Sequence, residues 1–191
     1  MTMAQAVWPR RADARAAWGR DALLVAAFSL LTALSAQAAI PLPWTPVPIT
    51  GQTFGVLLTG ALIGPRLGAL SLALYLLEGA AGLPFFAGGA AGAARLAGPT
   101  GGYLLSYPFA AALVGWLATC GWDRRPLTML AAMLLGSLVV FALGAGWLAH
   151  FVGPSRALTG GVLPFLPGDV LKALLAAGLV PLGWKWLGAK R

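Results

Sequence analysis

The stretch Leu163-Pro164-Phe165-Leu166-Pro167-Gly168-Asp169-Val170-Leu171-Lys172 opens the last long apolar run of the chain. Two prolines and a glycine stiffen and bend the entry, since proline fixes φ and lacks an amide donor. An acid and a base follow, three residues apart. On a helix, positions i and i+3 share a face. Asp169 and Lys172 therefore point one way at the start of a helix whose remainder is apolar. In lipid such a pair is costly, and intramembrane charges mark function by default. Whether the remainder lies in lipid decides the fold.

Composition answers that it does. The chain has 191 residues, 59% of them hydrophobic and 9% charged. A soluble domain carries about 25% charged residues. Mean hydropathy is +0.83. The formal charge of +8 does not point to nucleic acid, because the cations are not clustered with exposed aromatics in a soluble surface. In a membrane protein an excess of Lys and Arg reports topology. Cys120 is the single cysteine, which excludes an intramolecular disulfide and a multi-cysteine metal site. His150 is alone, with no partner at metal spacing, and reads as interfacial. No metal and no cofactor is expected. An enzyme would need a nucleophile–base pair or paired carboxylates at one depth, and none is visible.

Working outward from the opening stretch, the last span runs over about 168–187 and ends in the interfacial anchor Trp184-Lys185-Trp186. Upstream lie a loop over 151–164 with Arg156 and a span over about 127–150. Before them come the charged turn Trp122–Pro126 and a span over about 101–119, opened by Tyr103. Residues 84–102 are too glycine-rich for a stable helix. They read as a packed loop with Phe85, Phe86 and Arg95. A span over about 68–83 holds Tyr75 and Glu78, an intramembrane acid that pairs with an arginine, snorkels to the interface or faces the pocket, a structural role being favoured over a ligand one. A span over about 50–64 has Gln52 and Thr53 in its first turn, as ligand groups or helix caps. Residues 41–48 hold four prolines and one tryptophan, Trp44, and read as an extended loop. The first span covers about 21–40 and carries Ala22 and Ala26, a small-xxx-small surface suited to internal packing or to docking another subunit.

The expected fold is thus an all-α integral membrane protein of six transmembrane helices with Pro/Gly-rich external loops. Its parts are a basic tail over 1–20, a membrane domain over 21–187 and a short tail over 188–191. Ten cations (Arg10, Arg11, Arg15, Arg20, Arg66, Arg124, Arg125, Lys185, Lys190 and Arg191) fall on one side, and two (Arg95 and Arg156) on the other. That places both termini in the cytoplasm. The unusual polar residues Gln52, Thr53, Arg95, Tyr103, Asp169 and Lys172 then converge at the external end, where sites between helices are expected.

Five ordered motifs carry a resemblance. They are Ile40–Phe54 (IPLPWTPVPITGQTF), Gly64–Gly68 (GPRLG), Gly82–Gly89 (GLPFFAGG), Gly98–Tyr103 (GPTGGY) and the opening Leu163–Lys172 (LPFLPGDVLK). Over roughly 21–187 the chain resembles the BioY family, the biotin-specific substrate-binding (S) subunits of energy-coupling-factor transporters. Glu78 and the alanine-rich 90–95 segment depart from the family pattern. The resemblance implies a high-affinity biotin-binding subunit of a bacterial plasma membrane, with no ATPase motif of its own. It implies as partners a transmembrane coupling protein, met through Ala22 and Ala26, and two cytoplasmic ATPases. With biotin as ligand, Asp169 suits the ureido N–H groups, and Lys172 or Arg95 suits the tail carboxylate. Gln52, Thr53 and Tyr103 would complete the hydrogen bonds, and Phe85, Phe86 and Trp44 would cover the ring. An S subunit for another vitamin, or a membrane assembly subunit without transport, is the alternative.

Overall fold

A computed structural model of the chain describes residues 1–10 and 12–188. The helices are α1 (Met3–Val7), α2 (Ala14–Gln37), α3 (Gln52–Ile63), α4 (Pro65–Ala80), α5 (Ala94–Ala97), α6 (Gly101–Thr119), α7 (Pro126–Val152), α8 (Pro154–Gly161) and α9 (Leu166–Gly188). Two short strands, β1 (Ala39–Ile40) and β2 (Ile49–Thr50), pair antiparallel. They close the proline-rich segment between them into a hairpin-like flap.

Local chemistry sets the boundaries. Asp13 caps α2, its carboxylate accepting the Arg15 amide at 3.1 Å. The helix therefore begins inside the segment expected as tail. Gly64 ends α3 at φ +89, and Pro65 takes the first position of α4, where no amide donor is needed. Pro126 starts α7 in the same way. The 151–164 segment, expected as loop, contains α8. Gly153 stops α7 at φ +83, and Pro154 starts the new helix. The tail expected over 188–191 lies, from 189 on, outside the described residues.

The helix α6 is the centre of the bundle, packed against α7, α3 and α4, while α2 lies on α4 and α9 on α7. The α3–α6 crossing is close: a Cβ on Gly60 would sit 2.2 Å from the Ala111 carbonyl oxygen. The core mixes Leu57, Leu72, Val114, Met129, Met133 and Val140 with buried Ala110 and Ala111. The outer faces carry exposed Leu23, Leu30, Leu77, Leu138, Leu174 and Leu179, the surface a lipid solvent requires. Glu78 finds its partner in Ser29 of α2, whose hydroxyl donates to it.

The stretches Ala14–Gln37, Gly101–Thr119, Pro126–Val152 and Pro154–Gly188 are long and apolar enough to cross a membrane. With 12 residues in α3 and 16 in α4, those two are shorter than the about 20 residues a perpendicular crossing needs. The chain is a multi-pass membrane protein.

One end of the bundle gathers the turn at Gly64, the turn 120–125 and the described chain ends. There Thr2 packs on Gly64 and Met3 on Gly183. Arg20, 5% exposed, donates to the carbonyls of Trp8 and Ala4 and to Asp21. Asp123 accepts the Trp184 indole N–H at 2.5 Å, and the Arg124 guanidinium lies 3.8 Å from that ring's centre. These contacts tie residues 2–8 to α2, to the Gly64 turn and, through Met3, to α9, and they tie the 122–124 turn to the end of α9. The opposite end carries the irregular segments 38–51, 81–100 and 153–165.

Candidate solute-binding site

Those three irregular segments enclose a cavity of about 340 Å³. Its walls come from Pro41, Val47 and Thr50 of the flap, Gln52 and Thr53 of α3, Phe86 and Arg95 of the 81–100 segment, Tyr103 and Tyr107 of α6, and Phe165, Asp169 and Lys172 of the α9 entry.

The α9 pair is split in its use. Lys172 turns away from Asp169 and across the cavity end, its Nζ donating to Thr50 O at 2.7 Å and Thr53 Oγ1 at 2.8 Å. It thereby ties the last helix to the start of α3. Asp169 is 5% exposed and opens on the cavity. Its carboxylate takes no hydrogen bond from any described residue; Lys172 supplies an electrostatic partner without direct contact. A buried carboxylate without donors is unfavourable, and here the space in front of it is open.

The remaining polar groups differ in how far they are satisfied. Tyr103 donates to Gly161 O at 2.8 Å and so ties the end of α8 to the cavity wall. Gln52 receives hydrogen bonds from Thr50 and Tyr107 and donates to Tyr75. Arg95 is exposed beside the opening, and its guanidinium makes no ion pair or hydrogen bond among the described residues.

Two expected ring contacts are placed elsewhere. Trp44 is 68% exposed on the outside of the flap and does not line the cavity. Phe85 is also off the wall; the wall residue is Phe86. The reason is local packing. Phe86 is drawn inward against Gly79, where a Cβ would collide with its ring at 2.4 Å, and meets Tyr75 edge-on at 5.7 Å. The adjacent side chain is turned away. The sequence reading omitted Thr100, Tyr107, Val140, Phe141 and Phe165 from the wall. Of these, Phe165 and Thr100 carried a signal, lying within the Leu163–Lys172 and Gly98–Tyr103 motifs.

Ala22 and Ala26 lie exposed on one face of α2, remote from the cavity walls.

An apolar helix bundle with a cavity closed by irregular segments at one end, and a buried carboxylate opening on it, defines a membrane transport protein of the solute-binding kind. Residues 8–189 match the BioY family, and the chain belongs to it. It is 41% identical over 157 residues to a probable biotin transporter BioY of Pyrococcus horikoshii, covering 82% of this chain and 91% of that protein. It is 38% identical over 184 residues to the biotin transporter BioY of Rhizobium etli, covering 90% and 98%. Among solved structures it superposes on the S-component for biotin from an ECF-type ABC transporter with a TM-score of 0.79 and 28% identity, over 91% of this chain and 95% of that one.

Proposed function

We propose that this chain is the biotin-binding subunit of an energy-coupling-factor transporter and takes biotin into the cavity from outside the cell. The single observation that carries the reading is Asp169, a buried acceptor without donors, facing an enclosed space in a bundle that superposes on a biotin S-component. Biotin's ureido group brings two N–H donors to that carboxylate. Lys172, fixed by Thr50 and Thr53, keeps a third ammonium hydrogen for the ligand or for Asp169. The thioether ring packs among Val47, Phe86 and Phe165, and the tail carboxylate reaches Arg95 at the opening.

Topology supports the direction of uptake. Among the described residues, seven cations (Arg10, Arg15, Arg20, Arg66, Arg124, Arg125 and Lys185) stand toward the termini end and two (Arg95 and Arg156) toward the cavity end. This supports termini facing the cytoplasm, with α2, α3, α4, α6, α7 and α9 forming the bundle in the plasma membrane. The exposed Ala22–Ala26 face of α2 is the docking surface for a membrane coupling protein. That protein and its ATPases supply the energy, for this chain carries no phosphate-binding loop.

The test is equilibrium binding of biotin to the detergent-purified subunit, with desthiobiotin, thiamine and riboflavin as competitors. Tight binding displaced by desthiobiotin alone among the three is expected. Displacement by thiamine or riboflavin assigns the cavity to another vitamin, and no binding to any of them removes the solute-binding reading.

A further inference from the structure

Tyr75 does not line the cavity, yet its hydroxyl decides what the wall presents. It is fully buried in α4. Its oxygen lies 3.0 Å from the Phe85 carbonyl oxygen and 2.5 Å from Gln52 Nε2. A phenol has one proton to give, and a backbone carbonyl only accepts. The proton therefore goes to Phe85, and Gln52 must donate to the phenol's lone pair. This orients the amide: Nε2 faces Tyr75 and Oε1 faces the other way. On that other side Oε1 meets the hydroxyls of Tyr107 at 3.3 Å and Thr50 at 3.2 Å. Thr50 Oγ1 already accepts the Gln52 backbone N–H at 3.3 Å, so its own proton is left for Oε1. Both lone pairs of the Gln52 carbonyl are occupied. One of its two amide hydrogens is not, and Gln52 lines the cavity.

We propose that Tyr75 is a positioning residue that sets the polarity of Gln52, so that Gln52 offers the ligand an N–H donor and withholds its carbonyl. The proposal rests on the biotin reading. Lys172 grips Thr50 and Thr53 on either side of Gln52 in the chain, which brings Gln52 and Asp169 to one end of the cavity. There the Gln52 donor reads the ureido oxygen, and Asp169 reads the ureido N–H groups. A cyclic urea is distinguished by that alternation of donor and acceptor.

The experiment compares affinities for biotin and 2-iminobiotin near neutral pH. The protonated exocyclic nitrogen of 2-iminobiotin donates where biotin's oxygen accepts. Tyr75→Phe keeps the ring against Phe86 and removes the hydroxyl, freeing the amide to turn. Biotin affinity is expected to fall on the order of tenfold, and the biotin-to-iminobiotin affinity ratio is expected to fall with it. Gln52→Glu, which only accepts, is expected to move the ratio the same way and further. A merely loosened fold weakens both ligands alike and leaves the ratio alone. An unchanged ratio in Tyr75→Phe, or in Gln52→Glu where the first variant does not purify as folded protein, overturns the proposal while the biotin reading stands. A wild-type chain that binds neither ligand overturns both.

Discussion

At the scale of single residues, the site separates groups already committed to the fold from groups left for a ligand. Tyr103 and Tyr75 spend their hydrogens on backbone carbonyls, and Lys172 spends two of its three on Thr50 O and Thr53 Oγ1. Asp169 and Arg95 have no such engagement among the described residues. Asp169→Asn replaces one acceptor oxygen by a donor that opposes the ureido N–H groups. Biotin affinity is expected to drop on the order of 10- to 100-fold in a binding titration, and wild-type affinity in the folded variant contradicts the assignment. Arg95→Ala removes a cation at the opening. It is expected to weaken free biotin about tenfold and to leave the uncharged methyl ester of biotin unaffected. Equal losses for acid and ester would place the carboxylate elsewhere.

At the scale of elements, close helix crossings and proline-set helix starts place the site. Gly60→Ala puts a methyl group 2.2 Å from the Ala111 carbonyl at the α3–α6 crossing. Overpacking against backbone costs about 1–3 kcal/mol. The thermal midpoint of the detergent-purified protein is expected to fall, and an unchanged midpoint would mean the crossing relaxes freely. Much of this level was legible beforehand. Long apolar runs marked the longer helices, and the polar residues within them pointed to one end. Two features were not legible. The helix α8 was hidden because Gly-Pro reads equally as a loop and as a helix stop followed by a helix start. Tyr75 and Tyr107 were hidden because an aromatic in an apolar run looks like core until its hydroxyl partner, distant in sequence, is known. Phe85 and Phe86 are neighbours of identical type, and only the notch at Gly79 tells them apart.

At the scale of the whole molecule, the two ends differ in how they are held. The termini end is pinned by Arg20 and by the clasp of Asp123 on Trp184, whereas the other end is roofed by irregular segments. Asp123 is 0% exposed, and burial raises its carboxyl above the ordinary value of 3.8, against the lowering effects of Trp184, Arg124 and the chain's amino-terminal ammonium. A raised folded-state pKa means that the folded protein binds this proton more tightly. The stabilisation is present below the unfolded value and is lost as pH rises through the folded one. Thermal midpoints in detergent are therefore expected to decline as pH rises through this window above about 4. Asp123→Asn should flatten that decline, and a wild-type-like pH profile in the variant would refute the assignment. The cavity's lining has an optical consequence as well. None of the eight tryptophans touches it, and Trp44, on the outer side of the flap, is the one indole carried by that roof segment. A fluorescence change on ligand entry therefore reads movement of the roof, through Trp44 on the flap and Trp147, whose indole donates to the Gly98 carbonyl at 3.0 Å, against the constant emission of the other tryptophans. The cargo itself is read directly only by a fluorophore installed at Phe141 or Phe165.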